Sequence, residues 1–488
     1  MPSAIVIASL TAAPDAARLG ELAATSQVLE LRADLFEPPD IDWLREHFPG
    51  RLLYTLRSAG EGGQDRSDRS ERRARLGAAA GVYDLVDLET RDLDGGIHDQ
   101  VPVAQRVLSW HGRPDDLEAL QAVAARLLEE PAHWYKVVNW VKRSGEDRWP
   151  LALLAALGRS DVIAFGAGEI GAWTRLVATV LGSPALFAAG GPQAAAAGQL
   201  PVERLATDYQ WPLGEVQSLL GVVGRPVGHS LSPHLFNRAL RRLGLPMLYL
   251  AFHVEKFGEF WLDVVEEGGA EGGLELGGLS VTAPDKLIAI AVAGVTSPLS
   301  EAIGSANTLV RRDDVWAANS TDPEGIMGPL RRRDIVVRGR RAAVLGAGGA
   351  GRAAGWALRD AGAKVTLFNR SPARSVEVSR DLELDCLSWE AFDPAQFGVV
   401  VHATPLGRDD ADPLPCAVSL LPQDAVGLDL VYRREGPTPW VAALRDQGRI
   451  GIDGREALLF QALPQFEAMT GQEMPPELVA ELLSEIDP

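Results

Sequence analysis

The run Ala342-Ala343-Val344-Leu345-Gly346-Ala347-Gly348-Gly349-Ala350-Gly351-Arg352 constrains this chain most, because a short β-type segment that breaks into glycines and resumes as a helix has few structural solutions. In such a turn one glycine permits the tight bend, the next lets backbone N–H groups approach a pyrophosphate, and the last brings helix and strand together. Gly346, Ala347, Gly348, Gly349 and Ala350 are therefore candidate dinucleotide contacts. A second strand reading, 364–371, ends about 20 residues beyond the loop, where this arrangement reads the adenosine ribose. It carries no Asp or Glu. Asn369, Arg370 and Arg374 stand there instead, and amide and guanidinium donors suit a 2′-phosphate, so NADP is the cofactor expected.

At 488 residues the chain exceeds what one core supports, and two or three domains are expected. A formal net charge of −19 argues against nucleic acid or an anionic membrane surface as partner. Cys386 and Cys416 show neither metal-ligand spacing nor a disulfide framework, so no metal site is expected and a reducing cytoplasm fits. The first residues lack the basic region of a signal peptide, and no run is long and apolar enough to span a bilayer.

From residue 1 to 212, apolar β-rich runs alternate with helical patterns, at Ala4–Leu10, Val28–Asp34, Leu52–Arg57, Leu85–Glu89, Arg106–His111, Trp134–Val141, Asp161–Gly168 and Pro184–Gly190. Eight such units predict a compact (β/α)8 barrel, whose chemistry gathers at the C-terminal strand ends. Glu30, Arg32, Arg57, Asp87, Glu89 and His111 all fall there, and Lys136 lies within the sixth strand. Alternation points Lys136 to the same side as Trp134 and Val138. Desolvation there would favour the free amine, a nucleophile able to form a Schiff base; the alternative is a lysine paired with Asp87 or Glu89. His111 supplies an imidazole for proton transfer or is a structural histidine. Between them, the acids and arginines of 64–75 read as a solvated helix or loop.

Together, Glu30-Leu31-Arg32, Thr55-Leu56-Arg57 with Glu61-Gly62-Gly63, Asp87-Leu88-Glu89, Ser109-Trp110-His111 and Lys136 resemble type I 3-dehydroquinate dehydratase, as does Arg175. The resemblance implies an imine between Lys136 and the C3 carbonyl of 3-dehydroquinate, with His111 moving protons and Glu61 orienting it. It also implies that Arg175, Gln199 and Ser9 hold the carboxylate and hydroxyls, and that Arg57 and Arg32 shape the pocket, with Glu30 holding Arg32. Ala195 and Ala197 replace the serine and proline of that family's Ser-Ala-Pro-Gly-Gln lid.

A short linker around 208–215 precedes a fresh strand and the motif Ser230-Leu231-Ser232-Pro233. Ser232 reads first as a helix N-cap with proline after it, whereas Ser230 has no such role and could donate to a carboxylate with it. Lys286 and Asp322 could form an acid–base pair across a cleft, delivering the proton that a hydride transfer to a carbonyl requires, or a plain salt bridge.

Residues 217–485 resemble shikimate dehydrogenase through Ser230–Pro233, Thr282, Lys286, Asn307-Thr308, Thr321-Asp322, the glycine loop, Asn369-Arg370-Ser371, Ala403-Thr404-Pro405-Leu406-Gly407, Asp429–Tyr432, Asp453-Gly454 and Gln461. The resemblance implies that Ser230, Ser232, Thr282, Asn307, Asp322, Tyr432 and Gln461 bind shikimate, that Lys286 and Asp322 are the acid–base pair, and that Ser371, Thr404 and Gly454 join the cofactor site. Ser280 and Ser320 stand where many members have Asn, His402 replaces the Asn of Asn-Ala-Thr-Pro, and Asp285 beside Lys286 is unusual and could raise the lysine's pKa. The expected organisation is α/β throughout: a barrel over 1–212, a shikimate-binding lobe over 217–321, a Rossmann-type NADP lobe over 322–454, and closing helices over 455–488. This order resembles the fused dehydratase–dehydrogenase of plants and implies two consecutive steps, from 3-dehydroquinate through 3-dehydroshikimate to shikimate. Two alternatives stay open: a shikimate or quinate dehydrogenase with an impaired barrel, and a metabolite-sensing regulator on the same folds.

Overall fold

The computed structural model describes residues 4–94, 96–266 and 274–486. Two compact units form, one of Met1–Ser218 with Phe252–Glu275, the other of Leu219–Ala251 with Leu276–Pro488.

In the first unit, β1 (Ile5–Leu10), β2 (Val28–Arg32), β3 (Arg51–Thr55), β4 (Leu85–Glu89), β5 (Arg106–Gly112), β6 (Trp134–Trp140), β7 (Val162–Ala167) and β8 (Ala185–Ala189) form one parallel sheet. Its order, β7-β6-β5-β4-β3-β2-β1-β8, is that of a nearly closed barrel. β7 and β8, buried along their whole length, read as continuous apolar runs rather than alternating ones. Ile7, Val28, Leu53, Leu85, Val107, Trp134, Val138, Ile163 and Phe187 fill one connected core.

The stretch 64–75 is largely the exposed loop and helix start expected, with Asp65 and Arg72 as buried exceptions: the Arg72 guanidinium bridges Asp65 at 2.9 Å and Asp92 at 2.7 Å and donates to the Leu56 carbonyl. A buried guanidinium needs such saturation, and its partners lie too far along the chain for local charge patterning to show them. Within the expected lobe 217–321, Phe252 meets the Trp173 ring at 5.2 Å and the Asp263 carbonyl accepts from Arg148 at 3.1 Å.

In the second unit, β9 (Ser218–Gly224), β10 (Met247–His253), β11 (Glu275–Val281), β12 (Val295–Thr296), β13 (Thr308–Arg312) and β14 (Val315–Asn319) make a mixed sheet in the order β10-β9-β11-β13-β14-β12. The Rossmann-type lobe follows: β15 (Arg341–Leu345), β16 (Lys364–Asn369), β17 (Asp385–Ser388), β18 (Val399–His402), β19 (Val426–Asp429) and β20 (Ile450–Ile452), parallel in the order β17-β16-β15-β18-β19-β20. The order reverses between β15 and β18, the crevice where such sheets take their ligands. The helix Asp322–Arg332 packs on the closing helix Gly454–Thr470, and only glycine permits it: a Cβ on Gly325 would lie 2.7 Å from the Ala457 carbonyl, and one on Gly328 would enter the Phe460 ring.

Candidate active sites

A cavity of about 150 Å³ at the C-terminal strand ends of the barrel is lined by every candidate residue of the first half: Ser9, Glu30, Arg32, Arg57, Glu61, His111, Lys136, Arg175 and Gln199. Lys136 is buried, its Nζ 3.8 Å from Glu30 Oε1, 3.9 Å from Asp87 Oδ2 and 3.8 Å from the centre of the Phe187 ring. It shares Asp87 with Arg57, which holds that carboxylate at 2.8 Å. Burial lowers the Lys136 pKa against the pull of Glu30 and Asp87, and so favours the free amine. Burial alone would raise Asp87, but Arg57, Lys136 and a hydrogen bond from Ser109 leave it lowered.

His111 ends β5 with Glu61 placed under it: Glu61 Oε2 accepts from the His111 backbone N–H at 2.9 Å and lies 3.1 Å from Nδ1. Burial, then Arg57, Lys136, Arg32 and Arg175, hold the imidazole pKa well below its ordinary value, so His111 is neutral near neutrality and able to accept a proton. Burial, reinforced by Glu89 and Asp87 and opposed by Arg57, pushes Glu61 up to about 8.

Arg175 is buried over the Phe165 ring at 4.1 Å with its Nε unpartnered, and burial brings its pKa down to about 10. A guanidinium left short of acceptors inside a polar cavity suits a substrate carboxylate. Gln199 Nε2 donates to Ser9 Oγ at 3.0 Å and its Oε1 accepts from Ala195 N at 2.9 Å, so the lid backbone folds onto the site although Ala195 has no hydroxyl. Glu30 does not hold Arg32. It accepts from Ser9 and from Thr55 at 2.9 Å, while Arg32 makes two 2.8 Å bonds to Asp34, two residues along and easily reached by a planar fork. Asp34 is the member that sequence reasoning missed, although an acid two residues after a strand-end arginine was there to be read.

The second site is a cleft of about 860 Å³, wholly within the second unit. Lys286 Nζ donates to both oxygens of Asp322, at 2.8 and 2.7 Å. Its stem crosses the glycine loop, so that a Cβ on Gly349 would lie 2.9 Å from Lys286 Cβ. Asp285 does not share this pair; it is buried with one oxygen unpartnered, and burial raises its pKa. Ser230, Ser232, Thr282, Tyr432 and Gln461 line the cleft. The serine roles differ from the sequence reading: Ser232 begins the helix, and Ser230 Oγ accepts its N–H at 3.2 Å. Asn307 lies behind the cleft surface, its Nδ2 bonding Asp322 at 2.9 Å and Gln461 at 2.8 Å, and so fixes two groups that line it. Ser280 Oγ accepts from Tyr249 and donates to Gln465.

The residues present fit a dinucleotide phosphate. Gly346 has φ +113° and its Cβ would meet the Ala403 carbonyl at 2.7 Å, while Gly348 opens on free space at the start of the twelve-residue helix Gly349–Asp360, which has no side-chain cap. Ala347, Gly348, Gly349, Ala350, Asn369, Arg370, Arg374, Thr404 and Gly454 line the cleft; Ser371 does not, its carbonyl accepting from Asn369 at 3.0 Å. His402 Nδ1 lies 2.9 Å from Asp429 Oδ1 and Nε2 2.5 Å from Thr404 Oγ1. Arg225, His229, Arg408 and Trp389 also line this cleft and had no motif to announce them. Among the described residues no group of three or more His, Cys, Asp or Glu could hold a metal ion, and no helix is long and apolar enough to cross a membrane.

A parallel barrel with an inward lysine beside a histidine, followed by a two-lobed dinucleotide-type unit with a Lys–Asp pair against its glycine loop, defines an α/β chain carrying a lyase and an oxidoreductase. Residues 3–213 match the family model for type I 3-dehydroquinase, and residues 222–309 that for the shikimate dehydrogenase substrate binding domain. A shikimate dehydrogenase (NADP(+)) of Acidiphilium cryptum is 37% identical over 257 residues, 52% of this chain and 90% of that protein. The chloroplastic bifunctional 3-dehydroquinate dehydratase/shikimate dehydrogenase of Arabidopsis thaliana is 26% identical over 513 residues, covering 94% of this chain and 81% of that one. A solved shikimate dehydrogenase in complex with NADP+ superposes with a TM-score of 0.50 at 25% identity, over 57% of this chain and all of its own. The chain belongs to the shikimate dehydrogenase family through its second half, joined to a type I 3-dehydroquinase domain.

Proposed function

We propose that this chain dehydrates 3-dehydroquinate to 3-dehydroshikimate in the barrel and reduces that product to shikimate with NADPH in the second unit. Lys136 adds to the C3 carbonyl and water leaves, giving an imine whose protonated nitrogen draws electrons from C2. His111, neutral and held by Glu61, removes the C2 proton and then protonates the departing C1 hydroxyl; hydrolysis of the imine returns the lysine, so the balance is loss of one water. In the second unit NADPH, when bound, supplies the hydride. Lys286, held against Asp322, delivers the proton to the carbonyl oxygen, while Ser230 and Ser232 take the carboxylate. The observation that carries the reading is the contact of the Lys286 stem with Gly349, which fixes the proton donor against the glycine loop.

The substrates are small molecules, and the two free cysteines suit a reducing cytoplasm. The test is NADPH oxidation by the full chain given 3-dehydroquinate alone, then 3-dehydroshikimate alone. Oxidation with both is expected. Oxidation with only the second would show an inactive barrel, and silence with both would favour a sensor. For the cofactor, Arg370→Ala is expected to lower the NADPH/NADH preference by roughly tenfold or more, as loss of a charge-assisted phosphate contact does. An unchanged ratio of kcat/KM values would remove Arg370 from the 2′-phosphate site.

A further inference from the structure

We propose that His402 is a positioning residue for the dinucleotide: anchored by Asp429, it holds the Thr404 hydroxyl so that an oxygen lone pair, not the proton, faces the cleft. This rests on the reading that the cleft takes NADPH. His402 ends β18 between two neighbours in register, Leu345, which runs into the glycine loop, and Asp429 at the end of β19. Its ring is fully buried, edge-on to Trp440 at 5.9 Å, beside a core of Ala343, Leu345, Val400 and Leu444. An imidazole enclosed this way must have both nitrogens satisfied, and it does.

The direction of each bond follows from Asp429. Its Oδ1 also accepts from Val431 N at 3.0 Å and its Oδ2 from Thr438 Oγ1 at 2.6 Å, the pattern of an ionised carboxylate surrounded by donors. Nδ1 therefore donates to Asp429, and Nε2 is assigned as the acceptor. The Thr404 hydroxyl, 2.5 Å away, must donate to it. One lone pair of Thr404 Oγ1 accepts from Leu406 N at 3.4 Å, and the other is left for the cleft that Thr404 lines. Thr404 thus presents an acceptor just beyond the point where the strand order reverses. The complementary ligand group is a donor on the dinucleotide, such as a ribose hydroxyl or the carboxamide N–H. An asparagine at 402, as in Asn-Ala-Thr-Pro, carries both donor and acceptor on one amide and would not impose this polarity.

The experiment is equilibrium titration of NADPH into the full chain. Thr404→Val removes the acceptor without changing shape. His402→Asn replaces the ring with an amide that can donate to Thr404 Oγ1, which turns the Thr404 proton toward the cleft. Each is expected to weaken NADPH binding by about five- to tenfold, the loss of one hydrogen bond, and the double variant no further. Dehydratase turnover serves as the folding control, with His402→Phe replacing His402→Asn should the latter not fold. Losses that multiply in the double variant, or Thr404→Val binding within about twofold of the unaltered protein, would overturn the inference. Parallel titration with the 3-acetylpyridine analogue, which lacks the amide, assigns the donor: Thr404→Val indifferent to the analogue's change points to the ribose hydroxyl, and a Thr404→Val effect confined to NADPH points to the carboxamide. An unaltered protein that binds no NADPH would instead overturn the cofactor reading, and this inference with it.

Discussion

Replacing Lys136 with alanine is expected to lower dehydration of 3-dehydroquinate by at least about a thousandfold in kcat, because the covalent route is lost rather than weakened. Reduction of 3-dehydroshikimate by the same sample should stay within about twofold, since that site lies wholly in the other unit. Lys136→Arg should do no better than alanine, since guanidinium remains protonated and cannot supply a free amine. The pH dependence follows from the environment. Burial lowers the pKa of Lys136 and, helped by Arg57, that of His111, so both lose their protons at lower pH than an exposed lysine or histidine would. Activity should therefore fall on the acid side of neutrality, as His111 begins to bind a proton below its ordinary range, and Glu61, pushed up to about 8, should give a further inflection on the alkaline side. Borohydride added with 3-dehydroquinate should fix mass on Lys136 and stop dehydration. A protein left unmodified and fully active would end the Schiff-base reading.

What could be read from the chain alone divides along physical lines. The barrel strands were legible because a parallel sheet buried on both faces writes itself in short apolar β-rich runs, with polar residues towards the strand ends falling at the rim. The glycine loop was legible because backbone crowding leaves no alternative: Gly346 at φ +113° admits no ordinary side chain. Partner choice among charges was not legible. Arg72 looks like any arginine in an acidic run, yet it is buried between Asp65 and Asp92, and Arg32 chooses Asp34 over Glu30. Both depend on distances that the fold sets. His402 lay between these cases, since its departure from Asn was visible but its bond to Asp429 required knowing that β18 and β19 are neighbours.

The second large effect is expected at Lys286 and Asp322. Lys286→Ala should lower kcat for shikimate oxidation and 3-dehydroshikimate reduction by about a hundred- to ten-thousandfold, the range for loss of a positioned acid–base group. NADPH affinity should change little, because the Lys286 Cβ that comes nearest to Gly349 is kept in alanine. Asp322→Asn retains the shape but takes the carboxylate from an ammonium that both its oxygens hold, and Asn307, bonded to Asp322 Oδ1 at 2.9 Å, then loses a charged acceptor. If Lys286 and Asp322 act as one device, the double variant should be no slower than the slower single variant, whereas independent contributions would multiply. A plain salt bridge predicts something else: loss of thermal stability in each single variant with kcat nearly intact. Rapid-quench turnover and melting curves on the same preparations separate the two, with barrel dehydration as the internal measure of correct folding.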